Sequence, residues 1–290
     1  DVQRLMRILA LAYSDRDGIL EFYSTQPHQN FYMESGVNGK YIATEFLSCF
    51  SGAKTQMFCF TMILDDDKET LVVSFRGTSN LEQWECDFDV MRKETSIVPD
   101  VGAWVHKGFM ECYEDIATNL ISSIENILEK KKNIMRIDSC EHSLGAAVAL
   151  YFALDVVRRG IGEDRALSAR VRVFGGPRPG DKIFCNAAER ILRLENIQLF
   201  VYRNDIVPHV PPRVFGYMRP GLETWVLEDR LRMCKRKEMN KECQGGCNTV
   251  SLHNYSRKDH TVCWEYPISD DHVQMQIAFK IRKKIELSRG

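Results

Sequence analysis

The sequence predicts an α/β fold in which helices cover both faces of a central, mostly parallel sheet. Two observations lead to this prediction. β-rich segments alternate with helical segments along most of the chain, and 290 residues of 44% hydrophobic composition are enough to bury the core of one such domain. We therefore expect a single domain over residues 1–290. From Glu228 to Asp271 the composition is polar, Cys-rich and irregular, which predicts a loop region.

The individual elements are predicted from local patterns. Residues 1–13 and 41–50 are interpreted as short helices. Gln56–Leu64 and Thr70–Phe75 are β-rich, and the acidic turn between them indicates a hairpin. Apolar residues at helical spacing then predict a helix through Ile116, Leu120, Ile124 and Leu128. The remaining predictions are strands at Ile134–Asp138, Val171–Phe174, Ile197–Tyr202 and, as the last strand, Glu223–Leu227, with helices from Ser143 to about Val157 and from Asp271 to about Leu287.

Charge and cysteine content limit the classes of function. The formal net charge of −1 gives no general attraction to nucleic acid. No apolar stretch approaches the ~18 residues that would span a bilayer, so we expect no transmembrane segment. Of ten cysteines, four crowd the irregular region: Cys234, Cys243, Cys247 and Cys263. They indicate either disulfides in an oxidising compartment or a small metal site. A secreted protein is favoured, and an intracellular location stays open.

The segment from Glu141 to Ala146 lies between a predicted strand and a predicted helix and contains Ser143. A sharp strand-to-helix turn would aim the Ser143 hydroxyl and turn the Leu144 N–H toward a developing oxyanion. The usual pattern is Gly-x-Ser-x-Gly, because side chains two residues from the serine would collide with neighbouring backbone. Gly145 fits the pattern and Glu141 departs from it. A serine that only caps the following helix is the alternative.

Further motifs occur in a fixed order along the chain. They are Phe75-Arg76-Gly77-Thr78, Trp84 with Asp87, Val105-His106-Lys107-Gly108-Phe109 with Tyr113, the segment around Ser143, Phe174 to Gly180, and Asn204 to Pro212. Together they closely resemble the class 3 lipases, the family of the filamentous-fungal triacylglycerol lipases. The resemblance covers about residues 56–226 and fades in the first 50 residues and beyond Leu227. It implies an α/β-hydrolase fold.

The resemblance also implies roles for individual residues. Ser143 would be the nucleophile and Asp205 the acid that orients a histidine, while Thr78 and the Leu144 N–H would bind the oxyanion. His106 matches a position that supports the site without reacting. Asp205 follows a predicted strand, where a carboxylate can receive an imidazole N–H. A turn or capping role for Asp205, and a turn hydroxyl for Thr78, remain the alternatives.

Two shorter segments match features that the family carries. Ser79–Trp84 falls at the position of a short amphipathic lid, with Leu81 and Trp84 on its apolar face, although a plain surface turn is the alternative. Cys234 and Cys243 have a spacing that resembles a family disulfide. The family needs no cofactor or metal for turnover, so none is expected.

The catalytic histidine is left open among three residues in the C-terminal part of the chain. Asp259-His260, with Trp264 downstream, best matches the family signature, so His260 is the first choice. His272 opens the final predicted helix and is the second choice. His253 is the third.

The function that the resemblance implies is hydrolysis of lipid carboxyl esters at a lipid–water interface through a Ser-His-Asp triad. Acylglycerols are the expected substrates, and other acyl esters stay open. Glu141 motivates an alternative, a lipid-binding or interaction module that has kept the fold and lost the reaction. A cysteine enzyme that uses Cys140 is a further alternative.

Overall fold

The computed structural model describes residues 30–34, 41–64, 67–76, 90–227, 231–234, 256, 258–263 and 266–267. Its strands are β1 (Asn30–Glu34), β2 (Tyr41–Ser51), β3 (Phe58–Leu64), β4 (Asp67–Phe75), β5 (Arg92–Glu94), β6 (Trp104–His106), β7 (Arg136–His142), β8 (Ser168–Phe174), β9 (Ile197–Tyr202), β10 (Leu222–Val226), β11 (Leu231–Cys234), β12 (Val262–Cys263) and β13 (Tyr266–Pro267). Its α-helices are α1 (Lys107–Lys130), α2 (Leu144–Arg158), α3 (Lys182–Leu192) and α4 (Lys258–Thr261).

The described strands form one large sheet in the order β1-β2-β3-β4-β7-β8-β9-β10-β11, beside two small hairpins. The centre of the large sheet, from β4 through β7, β8 and β9 to β10, is parallel. Both of its edges are antiparallel. This arrangement confirms the predicted α/β class and the predicted β3–β4 hairpin. Because parallel strands end at the same edge, the residues that follow β7, β8 and β9 lie near one another.

Helix α2 lies at the centre of the core. It packs on β4, β7 and β8 and is flanked by α1 and α3. Every residue from Leu144 to Val156 is buried. A helix that is apolar on all sides is stable only when protein surrounds it, so the Ala-rich sequence here fixes its central position. The helix therefore holds its first residue firmly against the end of β7.

Helix α1 confirms the predicted apolar stripe, because Ile116, Leu120, Ile124 and Leu128 are all buried. The helix begins earlier than the stripe suggested. His106 caps it, and its ring nitrogen Nδ1 accepts the Phe109 N–H at 3.4 Å. The cap explains the early start, since a side-chain acceptor satisfies one of the unpaired N–H groups of the first turn.

Two sequence predictions are wrong. Residues 41–50 form most of strand β2 and not a helix. A β-bulge between Phe46 and Ser48 interrupts the alternation of inward and outward side chains in this strand. The two-residue pattern that indicates a strand is therefore not continuous in the sequence. Glu223–Leu227 is not the last strand, because β11 follows and pairs antiparallel with β10. The predicted helices at 1–13 and from Asp271, and most of the Cys-rich region, lie outside the described residues.

Candidate active site

Ser143 occupies a strained turn between β7 and α2. Its φ of 57° and ψ of −132° lie outside the regions that non-glycine residues normally adopt. The turn is fixed on both sides. The Ser143 N–H donates to the Phe174 carbonyl at 3.1 Å, and the Ser143 carbonyl accepts the Ala146 N–H at 3.0 Å. Such strain costs on the order of 1–3 kcal/mol and persists only where the surrounding structure enforces it. Here it directs the backbone sharply from the strand into the helix.

The first turn of α2 packs tightly against the end of β4. A Cβ atom on Gly145 would lie 2.7 Å from the Phe75 carbonyl oxygen and 3.0 Å from Glu141 Oε2, so only glycine fits at this position. Leu144 is the first residue of α2, and its N–H is outside the internal hydrogen-bond ladder of the helix. The helix dipole adds partial positive charge at the same place. This end of α2 can therefore stabilise negative charge that develops beside Ser143.

Glu141 is accommodated without displacing the turn. Its side chain is fully buried, and Oε1 accepts the Phe75 N–H at 2.6 Å. Burial raises the pKa of the Glu141 carboxyl well above its usual range, and the hydrogen bond from the Phe75 amide opposes the rise. Burial therefore favours the neutral acid. The departure from the Gly-x-Ser-x-Gly pattern places a buried carboxyl group directly under the nucleophile turn.

Asp205 and His260 form a close pair at the same edge of the sheet. His260 Nδ1 lies 2.9 Å from both carboxylate oxygens of Asp205, and both side chains are buried. Asp205 Oδ1 also accepts the Val207 N–H at 2.9 Å, which fixes the carboxylate. Because the carboxylate accepts a hydrogen bond from Nδ1–H, the lone pair of the neutral imidazole lies on Nε2. Within the described residues, Nε2 is buried and makes no hydrogen bond.

Gly175 makes room for this pair immediately after β8. Its φ is +55°, and a Cβ atom there would lie 2.5 Å from Asp205 Oδ2 and 2.9 Å from His260 Nδ1. Both the backbone conformation and the space therefore require glycine. Gly175 lies in the sequence motif from Phe174 to Gly180, but no role in the site was predicted for it, so its contact with this pair was missed.

The segment that carries His260 is held by the loop that carries Asp205. The Ser256 N–H donates to the Asn204 carbonyl at 2.9 Å. The Asn204 N–H donates to Asp259 Oδ2 at 3.2 Å, and the Asp259 N–H donates to the Ser256 hydroxyl at 3.0 Å. These bonds surround the Asp205–His260 pair and fix the register between the two segments.

His142 is a second contact of His260 that the sequence did not indicate. The two rings stack with centroids 4.3 Å apart and an interplanar angle of 28°. His142 Nε2 lies 2.8 Å from the His260 carbonyl oxygen, so this nitrogen carries a hydrogen and donates a hydrogen bond to that oxygen. Burial, and then the proximity of His260, lower the pKa of His142 well below its usual range. A neutral His142 thus connects the nucleophile turn to the segment that carries His260.

The structure brings together three of the predicted site residues, Ser143, Asp205 and His260, at the carboxyl edge of the parallel strands. His106 lies at the start of α1, where its ring stacks on that of Phe109 with the ring centroids 3.8 Å apart. Cys140 is fully buried, and burial raises the pKa of its thiol, which is opposite to what a cysteine nucleophile requires. Several predicted residues lie outside the described residues: Thr78, Leu81, Trp84, His253 and His272.

The structure describes the side chains of five of the ten cysteines. Among the described residues, Cys49, Cys59, Cys112, Cys140 and Cys185 are not joined in disulfides. The predicted Cys234–Cys243 disulfide involves side chains outside those that the structure describes. In the described part of the chain, no group of three His, Cys, Asp or Glu side chains could hold a metal ion. None of the helices in that part is long and apolar enough to cross a membrane.

Comparison with known proteins gives consistent similarities. The family model described as Lipase (class 3) matches residues 72–215. A lipase from Rhizopus niveus is 30% identical over 186 residues, which cover 63% of this chain and 45% of that protein. A protein of Fusarium solani, named secreted mono- and diacylglycerol lipase 1, is 29% identical over 69% of this chain and 56% of its own length. The chain thus spans about half the length of these relatives.

The fold itself is similar to that of solved structures. The structure described as the native Rhizomucor miehei lipase propeptide complex superposes with a TM-score of 0.74. The superposition covers 93% of this chain and 82% of that one, at 21% sequence identity. At this identity the similarity establishes the fold alone, which is the predicted α/β-hydrolase fold.

Proposed function

The chain belongs to the class 3 lipase family, and from that premise we propose that it is a serine hydrolase that cleaves carboxyl esters of lipids. Ser143 is the nucleophile, His260 the general base and Asp205 the orienting acid. The observation that carries the proposal is the buried Asp205–His260 pair, whose His260 ring stacks on the residue next to Ser143. The relatives named lipase support the same activity.

The proposed mechanism uses each group for one step. His260 Nε2 removes the proton of Ser143 Oγ as the oxygen attacks the ester carbonyl carbon. Asp205 stabilises the imidazolium that forms. His260 then returns the proton to the departing alcohol, and water hydrolyses the acyl-enzyme by the same route. The Ser143–His260 hydrogen bond forms when substrate is bound, because such bonds tighten in the substrate complex.

Two hydrogen-bond donors are assigned to stabilise the oxyanion. The Leu144 N–H stands at the start of α2, and the side chain of Thr78 is the second donor by family resemblance. Each such donor contributes on the order of 3 kcal/mol to transition-state stabilisation. The oxyanion forms only in the acyl-transfer steps, so these donors raise kcat more than they affect substrate binding.

Acylglycerols and other esters with apolar acyl chains are the proposed substrates, bound at a lipid–water interface. Leu81 and Trp84 are assigned to an amphipathic lid over the site, which a lipid surface would open. Secretion is proposed on the basis of the Fusarium solani relative, whose name describes it as secreted. The alternative of a non-catalytic lipid-binding module arose from Glu141. Because Glu141 fits beneath the turn and Ser143 keeps its strained conformation, we retain the hydrolase.

Hydrolysis of p-nitrophenyl butyrate and a long-chain analogue by wild type and Ser143→Ala tests the proposal. We expect the variant to lose ~10⁴-fold or more in kcat. A fluorophosphonate probe should label Ser143 of wild type, as mapped by mass spectrometry. Ser139→Ala is the matched control, because Ser139 is a buried serine of β7, the strand that leads to Ser143. Equal background rates in wild type and Ser143→Ala, without labelling, would establish the non-catalytic module.

A further inference from the structure

The end of β4 and the end of β7 are joined by a side chain where their backbones separate. The parallel ladder between the two strands pairs Thr70 with Arg136 and ends at Val73 with Ser139. If the ladder continued, Phe75 would pair with Glu141. Instead, the Glu141 carboxyl reaches across and accepts the Phe75 N–H at 2.6 Å. The side chain thus extends the connection between the strands to the residue before the His142–Ser143 turn.

The backbone around Phe75 is fixed on its other sides as well. The Arg76 N–H donates to the Phe58 carbonyl of β3 at 2.8 Å. The first turn of α2 rests on the Phe75 carbonyl, at the site where Gly145 permits no side chain. Without Glu141, the Phe75 N–H would face a buried gap with no acceptor in the β7 ladder. An unsatisfied buried N–H costs about 1–3 kcal/mol, so the local structure would rearrange to satisfy it.

Phe75 and Glu141 are each close in sequence to a proposed part of the reaction centre. Phe75 precedes Thr78 by three positions, and Glu141 precedes Ser143 by two. The distance between an oxyanion donor and a nucleophile must be held to within about 0.5 Å for efficient catalysis. Within the described residues, the Phe75–Glu141 hydrogen bond links the ends of β4 and β7 at this edge.

We propose that Glu141 is a positioning residue which, as a hydrogen-bond acceptor under the nucleophile turn, fastens the end of β7 to the end of β4 and so holds Ser143 and the Leu144 N–H in their catalytic positions. The inference rests on the proposed hydrolase function and deepens it. Glu141 does not touch substrate. It takes the position of the usual glycine and replaces an empty space by a fixed contact. Glu141 lies near the buried thiols of Cys59 in β3 and Cys140 in β7, and burial raises the pKa of both.

Two substitutions separate hydrogen bonding from space filling. Glu141→Gln keeps an acceptor for the Phe75 N–H and nearly the same shape, whereas Glu141→Met fills similar volume without an acceptor. With p-nitrophenyl butyrate we expect the Met variant to lose about 10- to 100-fold in kcat, because positioning of an oxyanion donor is worth up to 10²–10³. Its KM should stay within ~3-fold, since ground-state binding does not use the oxyanion donors. The Gln variant should retain at least about a third of wild-type kcat.

Rates are expressed per active site titrated with the fluorophosphonate probe, so that loss of folded protein does not mimic loss of positioning. Ser48→Ala is the matched control. It removes the buried hydrogen bond between Ser48 and Thr61, 2.6 Å long, in β2 and β3 of the same sheet. The control should lower thermal stability and leave kcat per site unchanged. If Glu141→Met does not fold, Glu141→Ala replaces it.

The outcomes separate this inference from the proposed function. An unchanged kcat per site in the Met variant, with wild type active through Ser143, would overturn the positioning role and leave the hydrolase intact. A Gln variant as impaired as the Met variant would also overturn it, because then the hydrogen bond would not be what matters. A wild-type protein without hydrolysis or Ser143 labelling would overturn both.

Discussion

The two halves of the proposed active site are built in opposite ways. On the nucleophile side, Ser143 lies between a central strand and a buried helix, and its turn is held by the backbone of the neighbouring strands at Phe75 and Phe174. On the base side, His260 is part of a four-residue helix, and its described contacts are single hydrogen bonds and one ring stack. The nucleophile is therefore held by the core of the protein, and the base by individual side chains.

This difference explains where single substitutions should act most strongly. Changes near Ser143 must disturb a packed strand–helix unit before they affect the reaction, so their cost appears partly as stability. Changes near His260 remove one of few contacts and act directly on the position of the base. Residues such as Gly175 and His142, which touch His260 from the core side, should therefore be unusually sensitive.

On the base side, the largest effect is expected for Gly175→Ala. The added methyl group would lie 2.5 Å from Asp205 Oδ2 and 2.9 Å from His260 Nδ1, and it would force the pair apart. Misplacing the triad acid costs up to ~10⁴ in kcat, so we expect at least a ~10³-fold loss with p-nitrophenyl butyrate.

Gly102→Ala is the control for Gly175→Ala. Gly102 has a similarly positive φ of +82°, but the nearest atom to an added Cβ is Ile183 Cδ1 at 4.0 Å. Both variants should lose stability from backbone strain, by about 1–2 kcal/mol, and only Gly175→Ala should lose activity. Similar activities in the two variants would show that the Asp205–His260 pair tolerates displacement.

An intermediate effect is expected for His142→Phe, which keeps a ring for stacking and removes the N–H that donates to the His260 carbonyl. Because a misplacement of about 1 Å can cost ~10² in rate, we expect kcat to fall about 10- to 100-fold. His142→Gln can place a donor near the same carbonyl and should recover part of the loss. Steady-state kcat and KM, with fluorophosphonate labelling rates, provide the test. Wild-type kcat in the Phe variant would mean that ring packing alone seats His260.

The same contrast separates what the sequence predicted from what it missed. The nucleophile turn and the β3–β4 hairpin depend on neighbouring residues, and local patterns predicted both. The contacts of Gly175 and His142 with His260 join segments far apart in the chain, and no local pattern encodes them. Helix α3 was missed although Asp181 caps it by accepting the Phe184 N–H at 2.8 Å. Strand β2, which was predicted as a helix, carries Ile42, Phe46 and Phe50 at a spacing that a helix would also show, and its bulge lies within that run.

The smallest effect on turnover, and a distinct effect on stability, is expected for Glu141→Gln on the nucleophile side. Burial raises the folded-state pKa of Glu141 well above the unfolded-state value near 4.5. Between these two pKa values the folded protein binds the extra proton, so its free energy of unfolding falls as pH rises above about 4.5. The slope approaches about 1.4 kcal/mol per pH unit for one proton. Glutamine takes up no proton and removes this dependence.

Urea unfolding of wild type and Glu141→Gln at several pH values from 5 to 8 measures the difference. The stability of the Gln variant relative to wild type should increase steadily with pH over this range, until the folded-state pKa of Glu141 is passed. Parallel stability curves would mean that Glu141 ionises as it does in the unfolded chain. The packed strand–helix unit would then tolerate a charge under the turn, and the nucleophile side would be less rigid than its burial indicates.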